Sequence, residues 1–134
     1  MRIPPALLLL LIAQPPSADP VIIGHPGIPQ LDMTTLQRIY TGKIVEVNGT
    51  RVSPVNLEPG HALRLRFLDL YMKQDDEKYI GYWTVRRYVG KGTPPRELTS
   101  AEEVLHYVSE TSGAIGYIDA SQVGPGVMVV FTRP

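Results

Sequence analysis

Residues 111–119 read T-S-G-A-I-G-Y-I-D, and this stretch decides how the chain folds. An apolar core of Ala114, Ile115, Tyr117 and Ile118 is bracketed by Gly113 and Asp119 and interrupted by Gly116. Glycine loses the most backbone freedom on ordering, so two glycines at a strand need a reason. The clearest helix signal of the chain lies just upstream. Ser100-Ala101-Glu102-Glu103 is a capping box, and Ala101, Val104, Leu105 and Val108 follow at helical spacing. Gly113 is placed to cap that helix, and Ala114 to Ile118 then enter a buried strand. Gly116 marks a close backbone approach, either to packed helices or to a ligand cleft.

Outward from this unit, the remaining elements follow from periodicity and punctuation. Val21-Ile22-Ile23-Gly24 is an apolar burst before His25-Pro26-Gly27, which predicts a buried strand ending in a turn. Thr34-Thr35-Leu36-Gln37 has capping-box spacing with Thr34 as N-cap. Leu36, Ile39 and Tyr40 then share one helical face, and Gly42 ends the helix. Asn48-Gly49 between valines predicts a tight hairpin, followed by a strand from about Val52 to Leu57 that Glu58-Pro59-Gly60 closes. His61 to Met72 fits two periods, since Leu63, Leu65 and Phe67 alternate with arginines. Its length and leucine content favour a helix.

Another helix is expected from Asp75 or Asp76 to about Val89, with Ile80 and Trp83 in its packing stripe beside Tyr79 or Arg87. Asp75, Asp76 and Glu77 sit at its positive end and read as a solvated helix start. Gly90 to Pro95 reads as a loop, Gly124-Pro125-Gly126 as a turn, and Val127 to Phe131 as a last strand. The order is roughly β-α-β-α-α-α-β-β. It predicts an α/β fold, a small mixed sheet flanked by helices.

Composition narrows the function. The chain has 134 residues, 43% hydrophobic and 19% charged, which is one domain's worth. Thirteen basic and thirteen acidic side chains cancel, so no overall field draws in nucleic acid, and no nucleic-acid partner is expected. Arg2, the run Ala6 to Ala13, and small residues at Ser17-Ala18 have the layout of a signal peptide over residues 1–18, cleaved after residue 13 or residue 18. The run is shorter than the ~20 apolar residues of a spanning helix, so no membrane span is expected after cleavage. There is no cysteine, hence no disulfide, thiol nucleophile or cysteine zinc site. Residues 19–134 are expected to form a single soluble domain, periplasmic or secreted.

No convergent reactive set is visible. His25, His61 and His106 lack metal-ligand spacing, and neither a nucleophile elbow nor a Walker loop is present. The chain is therefore not expected to be an enzyme, to hold a metal or to use a cofactor. Anion binding suits the residues better. Gly60-His61-Ala62 opens a helix, where free backbone N–H groups attract anions, and Arg64 lies within reach of such a ligand. Arg66, Arg86, Arg87, Lys91 and Arg96 add positive charge nearby. Their plainer reading is as solvated faces or partners of neighbouring acids.

Taken in order, four features resemble the phosphate-type periplasmic substrate-binding proteins of ABC transporters. They are Leu36-Gln37-Arg38-Ile39-Tyr40-Thr41-Gly42-Lys43-Ile44, the Asn48-Gly49 turn with Val52-Ser53-Pro54-Val55, the helix bearing Phe67, and Gly113-Ala114-Ile115-Gly116-Tyr117. The resemblance runs from about Val21 to Ile118 and implies a short single-lobe member, similar to one lobe of a type II periplasmic binding protein. The family places an arginine and a Ser-Gly-Thr set before the helix. Here those positions fall on Leu57 and on His61, Ala62 and Leu63, so the hydroxyls and that arginine are absent. The resemblance implies binding of inorganic phosphate or a related oxyanion for ABC-type uptake or sensing, with an ABC permease as partner. Gly60, His61, Ala62 and Arg64 are the candidate ligand residues. The alternative is a degenerate lobe that serves as an interaction module for an envelope protein, without a small ligand. In that case exposed members of the Tyr79, Tyr82, Trp83 and Tyr88 set would form part of the contact surface.

Overall fold

The computed structural model describes residues 19–133; the expected signal peptide lies outside the described residues. Among the described residues, no helix is long and apolar enough to cross a membrane. The order of elements starts with β1 (Pro20–Gly24) and α1 (Met33–Tyr40). A small ribbon of β2 (Glu46–Val47) and β3 (Thr50–Arg51) leads to β4 (Ser53–Leu57). Next come α2 (Ala62–Phe67), which widens into a π-helical turn over Leu68–Met72, and α3 (Asp76–Tyr88). β5 (Arg96–Leu98), α4 (Ala101–Glu110), β6 (Ala114–Asp119), a 3₁₀ turn over Ala120–Gln122, and β7 (Met128–Phe131) complete the chain.

Five strands form one mixed sheet in the order β5-β4-β6-β1-β7. β4 runs parallel to both β5 and β6, whereas β1 pairs antiparallel with β6 and with β7. The helical crossovers between β4 and its parallel neighbours put helices against the sheet, so its central strands are covered and apolar. β1 is buried at all five residues and β6 at the first five of six. Leu36, Ile39 and Tyr40 of α1, Phe67 of α2, and Val104 and Val108 of α4 fill the same core.

Gly116 settles the question raised by its own sequence. A Cβ there would lie 2.7 Å from Val104 Cγ1 and 3.1 Å from Val55 Cγ2. The glycine therefore lets α4 lie directly on β6, and the close approach is to a helix. Gly113 departs from the expectation of a helix cap. The helix ends at Glu110, and Gly113 is the third residue of a turn closed by Ala114 N–H donating to Thr111 O at 3.1 Å. Its φ of 79° and a Cβ position only 2.2 Å from Arg51 O both require glycine.

Other local differences have simple causes. The N-cap of α1 is Asp32, whose Oδ1 accepts from Thr35 N at 2.7 Å, while Gln37 turns away to donate to Tyr71 O. An aspartate two residues earlier thus replaces Thr34 as cap. Gly42 ends α1 as expected, with Gly42 N bonded to Ile39 O and Lys43 N to Arg38 O, the Schellman pattern. Asn48 and Gly49 form the two-residue turn of the β2–β3 ribbon, with φ of 49° and 82°. In α3 the buried pair is Tyr79 and Trp83, and Ile80 points outward. The loop after α3 is followed by β5, a strand that composition alone did not announce.

Candidate functional site

β4 ends in a buried polar knot. The Leu57 N–H donates to Tyr117 Oη at 3.0 Å, and that hydroxyl donates to Asn56 Oδ1 at 2.8 Å. Asn56 Nδ2 donates to Tyr79 Oη at 3.1 Å, and that hydroxyl donates to Tyr40 O at 2.8 Å. Tyr40 Oη donates in turn to Val55 O at 2.8 Å. Each member is satisfied, as buried polar groups must be. Burial pushes the Tyr79 hydroxyl up to about 12, and it raises Tyr40 and Tyr117 as well. The Phe67 ring stacks on Tyr117 with 4.0 Å between centroids, which seats α2 over the end of the sheet.

The four residues singled out in the sequence lie beside this knot. His61 is the N-cap of α2, and its Nδ1 accepts from Leu63 N at 3.1 Å, which puts the ring proton on Nε2. His61 N donates to Glu58 O, closing the turn that contains Gly60. Ala62 is the first residue of the helix. Arg64 is only 1% exposed and points inward, reaching back to donate from Nη1 to Leu57 O at 3.0 Å. The sequence therefore assembles these residues at one place, the mouth between β4 and α2.

A residue read as part of a solvated helix start completes the site. Asp76, first residue of α3, is 15% exposed, and its Oδ1 accepts from Arg64 Nε at 2.8 Å and pairs with Nη2 at 2.8 Å. Its Oδ2 accepts from the Gly60 N–H at 2.7 Å. One carboxylate thus receives three donors, all of them from Gly60 and Arg64 of the candidate anion-binding set. Glu97 of β5 adds a bond to Arg64 Nη1 at 3.1 Å but is half exposed. The guanidinium also lies 5.4 Å over the Tyr79 ring. Asp76 is free for this task because Asp75 caps α3, its Oδ1 accepting from Lys78 N at 2.8 Å. A cavity of about 180 Å³ borders Arg64, Asn56, Tyr79, Glu97, Pro59 and Arg87.

Arg87 borders the same cavity, but Arg66, Arg86 and Arg96 are engaged elsewhere. Arg66 pairs with Asp19, Arg86 donates to Gly42 O at 3.0 Å, and Arg96 lies over the Tyr107 ring. Among the described residues, no group of acids and histidines has metal-binding geometry.

The architecture has counterparts among solved structures. An ABC-type phosphate transport receptor from Vibrio cholerae superposes with a TM-score of 0.64 at 18% identity, covering 84% of this chain and 45% of the receptor. A putative phosphate ABC transporter substrate-binding protein from Clostridium perfringens, with bound phosphate, gives 0.66 at 22% identity over 84% and 44%. PstS from Borrelia burgdorferi gives 0.58 at 19% identity over 76% and 40%. The fold is that of one lobe of such a protein. The chain spans less than half the length of these relatives in structure, and identities this low establish shared fold alone. No protein-family model and no curated protein matches the sequence.

Proposed function

We propose that this chain is an exported binding domain of the phosphate-receptor type that works through contact with an envelope protein, without a resident small anion. The observation that carries this reading is the Asp76 carboxylate, seated on Gly60 N–H and Arg64 where an oxyanion would need those donors. A tethered carboxylate competes at an effective concentration of about millimolar or higher, so a free anion must bind very tightly to displace it. Loss of the Ser-Gly-Thr hydroxyls at His61, Ala62 and Leu63 removes donors that would tip that competition. Support for a protein contact comes from the end of α3, which exposes Val85 at 65% and Tyr88 at 91%, and from its C-cap Val89 at 56%. Apolar groups so exposed and so close together mark interaction surfaces. An ABC permease is one partner of the expected kind.

A second reading keeps the oxyanion: uptake or sensing of phosphate through Gly60, His61, Ala62 and Arg64. It is favoured by the shared fold with a protein solved with bound phosphate. Thermal denaturation of residues 19–134 with phosphate and sulfate separates the two. Ligand at a thousand times Kd adds about 4 kcal/mol of stability. The proposed reading expects no shift beyond that of sodium chloride at equal ionic strength. A saturable shift specific to one oxyanion would establish the second reading instead.

A further inference from the structure

We propose that Asp76 is the specificity-determining residue of the β4–α2 mouth. Its carboxylate is a built-in occupant, and the space it leaves when removed accepts a small carboxylate or phosphate oxyanion. The inference rests on the reading just given and deepens it, because it names what excludes the anion.

Three features support the assignment. First, Asp76 is held as a ligand is held. Two guanidinium nitrogens and one backbone N–H converge on its two oxygens, at 2.7 to 2.8 Å, from two elements that Asp76 does not belong to. Second, the donors do not depend on Asp76 for their placement. Arg64 is fixed by Leu57 O, by Glu97 and by the Tyr79 ring, and Gly60 is fixed by the turn from Glu58 to His61. A cradle of this kind survives removal of its occupant, and charge-assisted hydrogen bonds to guanidinium and amide favour any small oxyanion there. Third, charge balance changes in the right direction. With Asp76 in place, Arg64 faces two carboxylates, Asp76 and Glu97. Without it, Arg64 and Glu97 remain as a neutral pair, and an entering monoanion restores the original balance. The Asp76 side chain is itself 15% exposed, so its position is open to solvent.

The size of the vacated space sets the order of ligands. Asp76→Ala removes one carboxylate group, the size of formate. Asp76→Gly removes a methylene as well, the size of acetate, and leaves most room for phosphate. Neither change touches the α3 cap, which is Asp75.

The experiment uses residues 19–134 as wild type, Asp76→Ala and Asp76→Gly. Melting temperatures are measured against sodium formate, acetate and phosphate, with sodium chloride at matched ionic strength. The expected result is a saturable rise of about 5 °C or more for formate on the alanine variant, and for acetate and phosphate on the glycine variant. The wild type stays flat. A variant that unfolds without added anion is expected to refold with its matching anion and not with chloride. If neither variant, folded or refolding, distinguishes these anions from chloride, the assignment is overturned. A wild type that itself responds to phosphate overturns the proposed function whatever the variants do. A silent wild type with silent variants overturns only the role given to Asp76.

Discussion

Arg64 Nε and Asp76 Oδ1 are 2.8 Å apart, in a place where Arg64 is almost wholly shielded from water. The two residues are twelve positions apart in sequence and join the start of α2 to the start of α3. Removing one partner of such a pair leaves the other charge buried and unanswered, which costs about 3–5 kcal/mol. Arg64→Ala is therefore expected to lower unfolding free energy by that amount in urea titrations. Glu97→Gln touches the same guanidinium from a half-exposed position and is expected to cost less than about 1 kcal/mol. Equal and small effects of the two changes would mean that the buried Arg64–Asp76 pair does not tie α2 to α3.

The contact of Gly116 with Val104 gives a second test. A methyl group at residue 116 overlaps Val104 Cγ1 and presses on Val55, both in the packed core. Overfilling of this kind typically costs about 1–3 kcal/mol. Gly116→Ala is expected to fall in that range by chemical denaturation, and Val104→Ala in the same chain is expected to recover part of the loss. Purely additive costs would indicate that α4 does not bear on β6 at this point.

How far the sequence revealed these relationships depends on the range over which each one acts. The α4–β6 unit was legible because a cap, an apolar stripe and a strand follow one another within twenty residues. The hairpin at Asn48-Gly49 was legible for the same reason. β5 was not, because a three-residue edge strand after Pro94-Pro95, carrying Arg96 and Glu97, has no period to read. The π-helical turn at Leu68–Met72 was hidden inside a run that fits an ordinary helix. It is the wider turn that carries Leu68, Tyr71 and Met72 into the core. Gly60, His61, Ala62 and Arg64 lie within five consecutive positions, so their clustering was legible from the sequence alone. Asp76 was not added to them, since Asp75, Asp76 and Glu77 suit the positive end of a helix equally well. Only the fold shows that the cap is Asp75 and that its neighbour turns inward.

Alkaline pH should weaken the knot beneath the sheet. Tyr79 is raised from 10.0 to about 12 in the folded chain, chiefly by burial, so folding favours the protonated hydroxyl. Its contribution is then complete below pH 10 and is lost as pH climbs through the folded value. Tyr40 and Tyr117 shift in the same direction for the same reason. Urea midpoints are expected to fall between pH 10 and pH 12, with tyrosinate absorbance of these residues appearing only as the chain unfolds. Titration of all seven tyrosines near pH 10 in the folded state would contradict the burial of the three.

The outer face of α3 is expected to matter for association and not for folding. Tyr88 and Val85 make little of the core, and surface changes of this kind usually stay within about 0.5 kcal/mol. The double change Tyr88→Ser with Val85→Ser should leave the melting temperature in place. It should also weaken, by tenfold or more, any stoichiometric complex formed with an envelope partner, as read by calorimetry. Loss of stability without change in affinity would place these side chains in the fold and not at the contact.

The most direct measurement of the central claim is a phosphate titration of the wild-type domain followed by nitrogen-15 NMR at two reporters, the Gly60 amide and the Arg64 Nε–H. Both N–H groups donate to the Asp76 carboxylate. If Asp76 fills the anion position, neither signal moves through the millimolar range beyond the shift produced by chloride. Saturable movement of both signals together would show phosphate entering that position and would contradict the account.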